Sequence, residues 1–100
     1  MIARTWHGRV PLEKSNSYLK LMREVAIPDY ARTPGNKGAF ILHRLESDAA
    51  HFIMLTFWES LDAIKAFAGD DVERAKYYDF DAQYLLEMEP LVQHHVLYDG

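Results

Sequence analysis

Few residues in this chain have evident chemistry, and their spacing limits what they can do. Among five histidines, His94 and His95 are adjacent within an apolar stretch, 91–98, that reads as a strand. Successive strand side chains point to opposite faces, so these two rings cannot share one ion. There is no His-x-x-x-His pair, no cysteine and no carboxylate cluster at ligand spacing, so no metal is expected. One of the two rings must face the helices. There it becomes a candidate general base or hydrogen-bond donor. Arg4 stands out because a charge on an apolar N-terminal strand risks burial. It is either an edge or ion-paired residue, or a clamp for an anion or enolate using its fixed fork of donors. Tyr77-Tyr78-Asp79-Phe80 could wall an apolar pocket between helices and sheet, or simply fill the core.

Other chemistries lack support. Gly35 and Gly38 are not followed by the Lys-Ser/Thr and helix of a phosphate loop. No serine sits in a nucleophile elbow. The net charge of −4, with Lys and Arg scattered rather than striped, argues against nucleic acid as a partner. No apolar run is long enough to span a membrane. The first six residues lack the basic and apolar regions of a signal peptide, so a cytoplasmic protein is expected.

The elements that would position these residues follow from periodicity. A chain of 100 residues, about half of them hydrophobic, fits one domain (1–100) with a thin core. The central stretch is His51-Phe-Ile-Met-Leu-Thr-Phe-Trp58. Its β-branched and aromatic residues make it a strand. Odd and even positions are both mostly apolar, so it needs cover on both faces and belongs inside a sheet. Residues 2–9 form a first strand. A helix follows from Val10-Pro11, with Tyr18, Leu19, Met22, Val25 and Ala26 on its apolar stripe, and Pro28 ends it or lies close to its end. Tyr18 and Met22 could serve core and pocket alike. Residues 29–37 form a loop around Thr33-Pro34-Gly35-Asn36, and 38–46 a second strand that turns back at 47–50.

Ser60 caps the next helix, whose stripe is Leu61, Ile64, Phe67 and Ala68, and Gly69 stops it. Asp70-Asp-Val-Glu73 resembles a capping box opening a further short helix through Val72, Ala75, Tyr77 and Tyr78. Pro90 then precedes the last strand. The order β-α-β-β-α-β is the ferredoxin-like α+β arrangement, with helices on one face of an antiparallel sheet. Its first and third strands are central. The other face is left bare and apolar, which predicts a homodimer joined sheet to sheet.

Several stretches together resemble the antibiotic biosynthesis monooxygenase domain of the dimeric α+β barrel group. They are Phe57-Trp58-Glu-Ser-Leu-Asp-Ala63, Ala66-Phe-Ala-Gly69, Ala75-Lys-Tyr-Tyr78, Leu85-Leu-Glu87 and Glu89-Pro90-Leu-Val-Gln-His94-His95. The likeness spans nearly the whole chain. It implies a ferredoxin-like protomer that dimerises through its sheet and holds a small aromatic ligand between sheet and helices. It also implies an oxygenase without metal, flavin or other cofactor, in which an electron-rich phenolate or enolate reacts with oxygen. The protein then supplies orientation, desolvation and charge stabilisation. The residues this would place at the chemistry are Arg4, Trp6, Tyr77 and His94 or His95. Tyr18, Met22, Trp58, Phe67, Tyr78 and Phe80 would line the pocket. Haem-degrading members use an Asn on the first strand, a Trp in the second helical region and a His at its end. Trp6, Phe67 and Tyr77 stand nearest those positions, so haem degradation is disfavoured. A ligand-binding or structural member without catalysis is the alternative, and haem binding through a strand histidine a lesser one.

Overall fold

A computed structural model describes residues 1–100. Strands β1 (Ile2–Val10), β2 (Asn36–Leu45), β3 (Ala50–Trp58) and β4 (Gln93–Val96) form one antiparallel sheet in the order β2-β3-β1-β4. The first and third strands are central, as the two-sided apolarity of β3 requires. Alternation is strict on both. Arg4, Trp6, Gly8 and Val10 of β1 are buried, as are Ala50, Phe52, Met54, Thr56 and Trp58 of β3. Helices α1 (Ser15–Leu21), α2 (Ile27–Arg32), α3 (Leu61–Ala68) and α4 (Asp81–Tyr84) complete the chain. Tyr18, Met22, Ala26, Tyr30, Ile64 and Phe67 join those strand residues in one core. The architecture is ferredoxin-like α+β.

Local signals explain several boundaries. The Ser60 hydroxyl accepts from the Ala63 N–H at 3.2 Å, capping α3. Gly69 ends that helix at φ +92°, a left-handed conformation that glycine adopts without a Cβ penalty. In the turn before β2, Gly35 has φ +90° and the Asn36 N–H reaches the Thr33 carbonyl at 3.1 Å.

Four expectations need correction. Pro28 does not end the first helix, which continues to Arg32. Between α1 and α2 the chain makes a wide π turn at Met22–Ala26, where the Ile27 N–H bonds the Met22 carbonyl five residues back. A proline lacks its own N–H and crowds the carbonyl four residues back. A widened turn just ahead of Pro28 relieves both conflicts. The loop of 29–37 shrinks accordingly to the few residues before β2.

Residues 70–80 do not form a helix. Their backbone pairs with the approach to β4 instead. The Ala75 N–H donates to the Pro90 carbonyl, the Val92 N–H to the Glu73 carbonyl, and Arg74 bridges Leu91. Only Asp81–Tyr84 becomes helical. The last strand is Gln93–Val96 rather than 91–98, because 91–92 are used in that bridge. Finally, Arg4 is neither at an edge nor ion-paired. It lies on a central strand, 1 % exposed, with no carboxylate partner.

Candidate functional site

Arg4 is opposite Thr56 on one side and His94 on the other. Shared register puts His94 on the helix-covered face and leaves His95, opposite Ala3, on the other. The Arg4 guanidinium passes beneath the Phe67 ring at 5.6 Å. Its Nη2 donates to the Arg74 carbonyl at 3.2 Å, while Nε and Nη1 have no partner. Nε2 of His94 and Nε1 of Trp6 are also buried and unpartnered. Four polar nitrogens on one wall therefore lack an acceptor or donor, an unusual concentration for so small a core.

Charge reinforces this. Burial pushes the Arg4 guanidinium below its ordinary value, against the pull of the Tyr30 and Tyr78 phenols. Burial and then the Arg4 charge push the His94 imidazole below its ordinary value. A neutral ring beside a buried cation is an environment suited to an anion or an electron-rich oxygen.

The tyrosines are engaged elsewhere. The Tyr77 hydroxyl donates to the Glu89 backbone carbonyl, and its ring meets Trp6 edge-on with centroids 6.0 Å apart. Burial, then the negative charge of Glu89 and Asp81, push this phenol up to about 12. The Tyr78 hydroxyl donates to Asp29 Oδ2 at 2.7 Å. Burial would raise the Asp29 carboxyl, but bonds from Lys76, Tyr78 and Arg32 hold it below its usual range. Tyr18 donates to Asp81 Oδ1 at 2.6 Å, and the Tyr78 N–H donates to Oδ2 at 2.7 Å. Burial raises both the Tyr18 phenol and the Asp81 carboxyl.

The residues expected to line a pocket are packed together. Tyr18, Met22 and Trp58 are fully buried and Phe67 nearly so. Tyr30 stacks on Phe67 at 4.3 Å, Phe80 on Tyr78 at 5.6 Å, and Trp58 Nε1 donates to Thr56 Oγ1 at 2.9 Å. A Cβ on Gly8 would come within 2.6 Å of the Trp6 ring, so the edge of the indole occupies the space a side chain would take there. The structure thus brings Arg4, Trp6, Tyr77 and His94 to one end of the core, and leaves His95 apart. Those side chains fill the space between helices and sheet.

The sequence reading missed a second constellation on the opposite face. His7 Nδ1 lies 2.6 Å from Glu89 Oε2, and His7 Nε2 lies 3.0 Å from His51 Nδ1. His51 Nε2 continues the chain to Glu46 Oε1 at 2.9 Å. The molecule's one cavity, about 240 Å³, adjoins this relay and is lined by Thr5, His7, Glu89, Leu91, Val92 and Gln93. A signal existed, since His7 and His51 are both odd positions on strands already expected to be neighbours. Nothing in the spacing brought Glu46 and Glu89 to them.

No protein-family model and no curated protein matches the chain. Among solved structures, it is similar to a point mutant of MhuD crystallised with two manganese protoporphyrin IX molecules per active site. The TM-score is 0.67 at 18 % identity, covering 100 % of this chain and 98 % of that one. No helix here is long and apolar enough to cross a membrane. At this identity the likeness concerns backbone architecture: the chain has the fold of MhuD from end to end.

Proposed function

We propose that this protein is a member of the antibiotic biosynthesis monooxygenase group that oxidises a small phenol, quinol or enol with molecular oxygen, without a cofactor. The observation that carries this reading is the set of unpartnered buried nitrogens on Arg4, His94 and Trp6. A phenolate or enolate oxygen is the group that would satisfy them. His94, held neutral, accepts the substrate proton. Arg4 then stabilises the anion that reacts with oxygen. In an anthrone, one oxygen atom becomes the new ring carbonyl and the other leaves as water with the two methylene hydrogens, so the substrate itself supplies the electrons. Entry requires the non-helical segment 70–80, whose Arg74 carbonyl holds Arg4, to move aside.

Oxygen uptake over a panel of anthrones, hydroquinones and flavonoids tests the proposal. Turnover above the spontaneous rate is expected, falling about 100-fold or more in Arg4→Met. Uptake no faster than in buffer across the panel would sink it.

The filled space between helices and sheet favours a second reading, a ligand-binding or structural module without catalysis. Thermal stabilisation by a panel member that is recovered unchanged would select this alternative. Under either reading we infer a homodimer. Phe40 and Leu42 are 54 % and 48 % exposed on the uncovered face, beside the half-buried Ile53, Leu55 and Phe57. A second copy presenting the same face would bury them.

A further inference from the structure

The polar bonds of segment 70–80 fall into two groups. One group ties it to the chain leading into β4. The Ala75 N–H donates to the Pro90 carbonyl at 2.9 Å, the Val92 N–H to the Glu73 carbonyl at 2.8 Å, and the Tyr77 hydroxyl to the Glu89 carbonyl. All three lie in one short ribbon and involve no charged side chain. The other group crosses to the first helix and to β1, and it rests on two residues. Lys76 Nζ and the Tyr78 hydroxyl both donate to Asp29 Oδ2, at 2.8 and 2.7 Å. Arg4 Nη2 donates to the Arg74 carbonyl at 3.2 Å.

Asp29 is built to hold. Arg32, three residues on in the same helix, donates to Oδ1 at 3.0 Å and leaves Oδ2 for the strap. Lys76 also lies over the Phe67 ring, 4.2 Å from its centroid. The ion pair therefore sits against an apolar wall, where solvent and salt screen it less than on an open surface. Beneath this roof Arg4 is 1 % exposed, and Tyr77 rests edge-on against Trp6. The closed strap thus fills the space an anion must cross to reach the free Nε and Nη1 of Arg4.

We propose that segment 70–80 is an autoinhibitory lid over Arg4 and Trp6, hinged on residues 89–92 and latched by Asp29 through Lys76 and Tyr78. What the lid admits rests on the oxygenase reading; that it opens at Asp29 does not. A ligand that binds only the open form has an apparent dissociation constant equal to the intrinsic one divided by the open fraction. Loosening the latch therefore tightens binding, the opposite of what losing a structural contact does.

Hydrogen exchange at the two indoles of the ¹⁵N-labelled full-length protein tests it. Trp6 Nε1 is unpartnered under the lid, whereas Trp58 Nε1 is bonded to Thr56 Oγ1 within the core and reports general unfolding. Asp29→Ala should speed exchange at Trp6 about ten- to hundred-fold, the loss of a charge-assisted hydrogen bond, and change Trp58 far less. Lys76→Met, which leaves the Tyr78 bond, should act in the same direction even if Asp29→Ala proves unstable. Arg32→Gln, whose lost bond lies within the helix, should leave both rates near native. In the oxygen-uptake assay Asp29→Ala should lower KM. Native exchange at Trp6 in both latch variants would overturn the proposal. So would equal acceleration at Trp6 and Trp58, an effect of Arg32→Gln as large as that of Asp29→Ala, or a raised KM. Faster Trp6 exchange with no oxygen uptake in any protein would uphold the lid and count against the oxygenase reading alone.

Discussion

The two faces of the sheet are built from alternate residues of the same strands, yet they solve opposite problems. The helix-covered face is densely packed and leaves Nε and Nη1 of Arg4, Nε2 of His94 and Nε1 of Trp6 without partners. The uncovered face is loosely covered, yet its polar groups are linked end to end from Glu46 to Glu89. Burial alone therefore does not predict satisfaction. In a small domain, unsatisfied donors in the densest region cost more than anywhere else. Their presence there is what makes that end of the core the candidate for chemistry.

Adjacent residues on β3 give the sharpest way to break this contrast. Trp58 is fully buried and Phe57 points to the uncovered face. Trp58→Ala should cost about 3–5 kcal/mol, a large share of the ~5–15 kcal/mol typical of a domain. Phe57→Ala should cost about 1 kcal/mol at low protein concentration, since less burial is lost. Urea unfolding of both variants measures the difference, and equal losses would mean that the faces are not distinct in energy. Next in size is assembly. Light scattering should give twice the chain mass for the native protein and a single chain mass for Leu42→Glu, with the circular dichroism of the two alike.

A smaller effect concerns Arg4. Exchanging a buried, incompletely bonded guanidinium for a side chain of similar length should leave stability unchanged or raise it by about 1–2 kcal/mol. Arg4→Met should thus melt no lower than the native protein, even as oxygen uptake falls. A pronounced loss of stability would show Arg4 to be a structural residue. The smallest effect is in pH. The His94 value is lowered in the folded state, so the unfolded chain binds the proton more readily. Stability contributed by neutral His94 is complete above the ordinary histidine value of 6.5 and is lost as pH falls through the folded value below it. His94→Gln should flatten that part of the stability–pH curve, and an unchanged slope would place the titration elsewhere.

How far the sequence could be read depended on how local each determinant is. The two-sided β3, the Ser60 cap and the Gly69 stop depend on neighbours in the chain, and they were legible. The segment 70–80 was misread because its capping-box pattern is local, whereas its backbone is claimed by residues 90–92. Pro28 misled for a related reason, since it does not disclose the wide turn that accommodates it. At the candidate site, the facing of Arg4 and Trp6 follows from strand parity. The bonding of the Arg4 guanidinium does not, because its one partner is a carbonyl seventy residues away. The relay needed four residues from four parts of the chain, and only its two histidines sat on elements whose adjacency was readable.

The wide turn at Met22–Ala26 makes the first helix one residue longer than its span needs. It behaves as an insertion absorbed inside a helix, so the residues downstream keep the facing a regular helix would give them. Excising one residue there would restore regular winding and leave the following side chains where they are, since the wide turn and an ordinary α turn both close about one revolution. Tyr30 would keep its stack on Phe67, and Asp29 its bonds to Lys76 and Tyr78. A deletion of one residue elsewhere in this helix swings everything after it by about 100°, so the roof above Arg4 should survive shortening at Met22–Ala26 and at no other point along the helix.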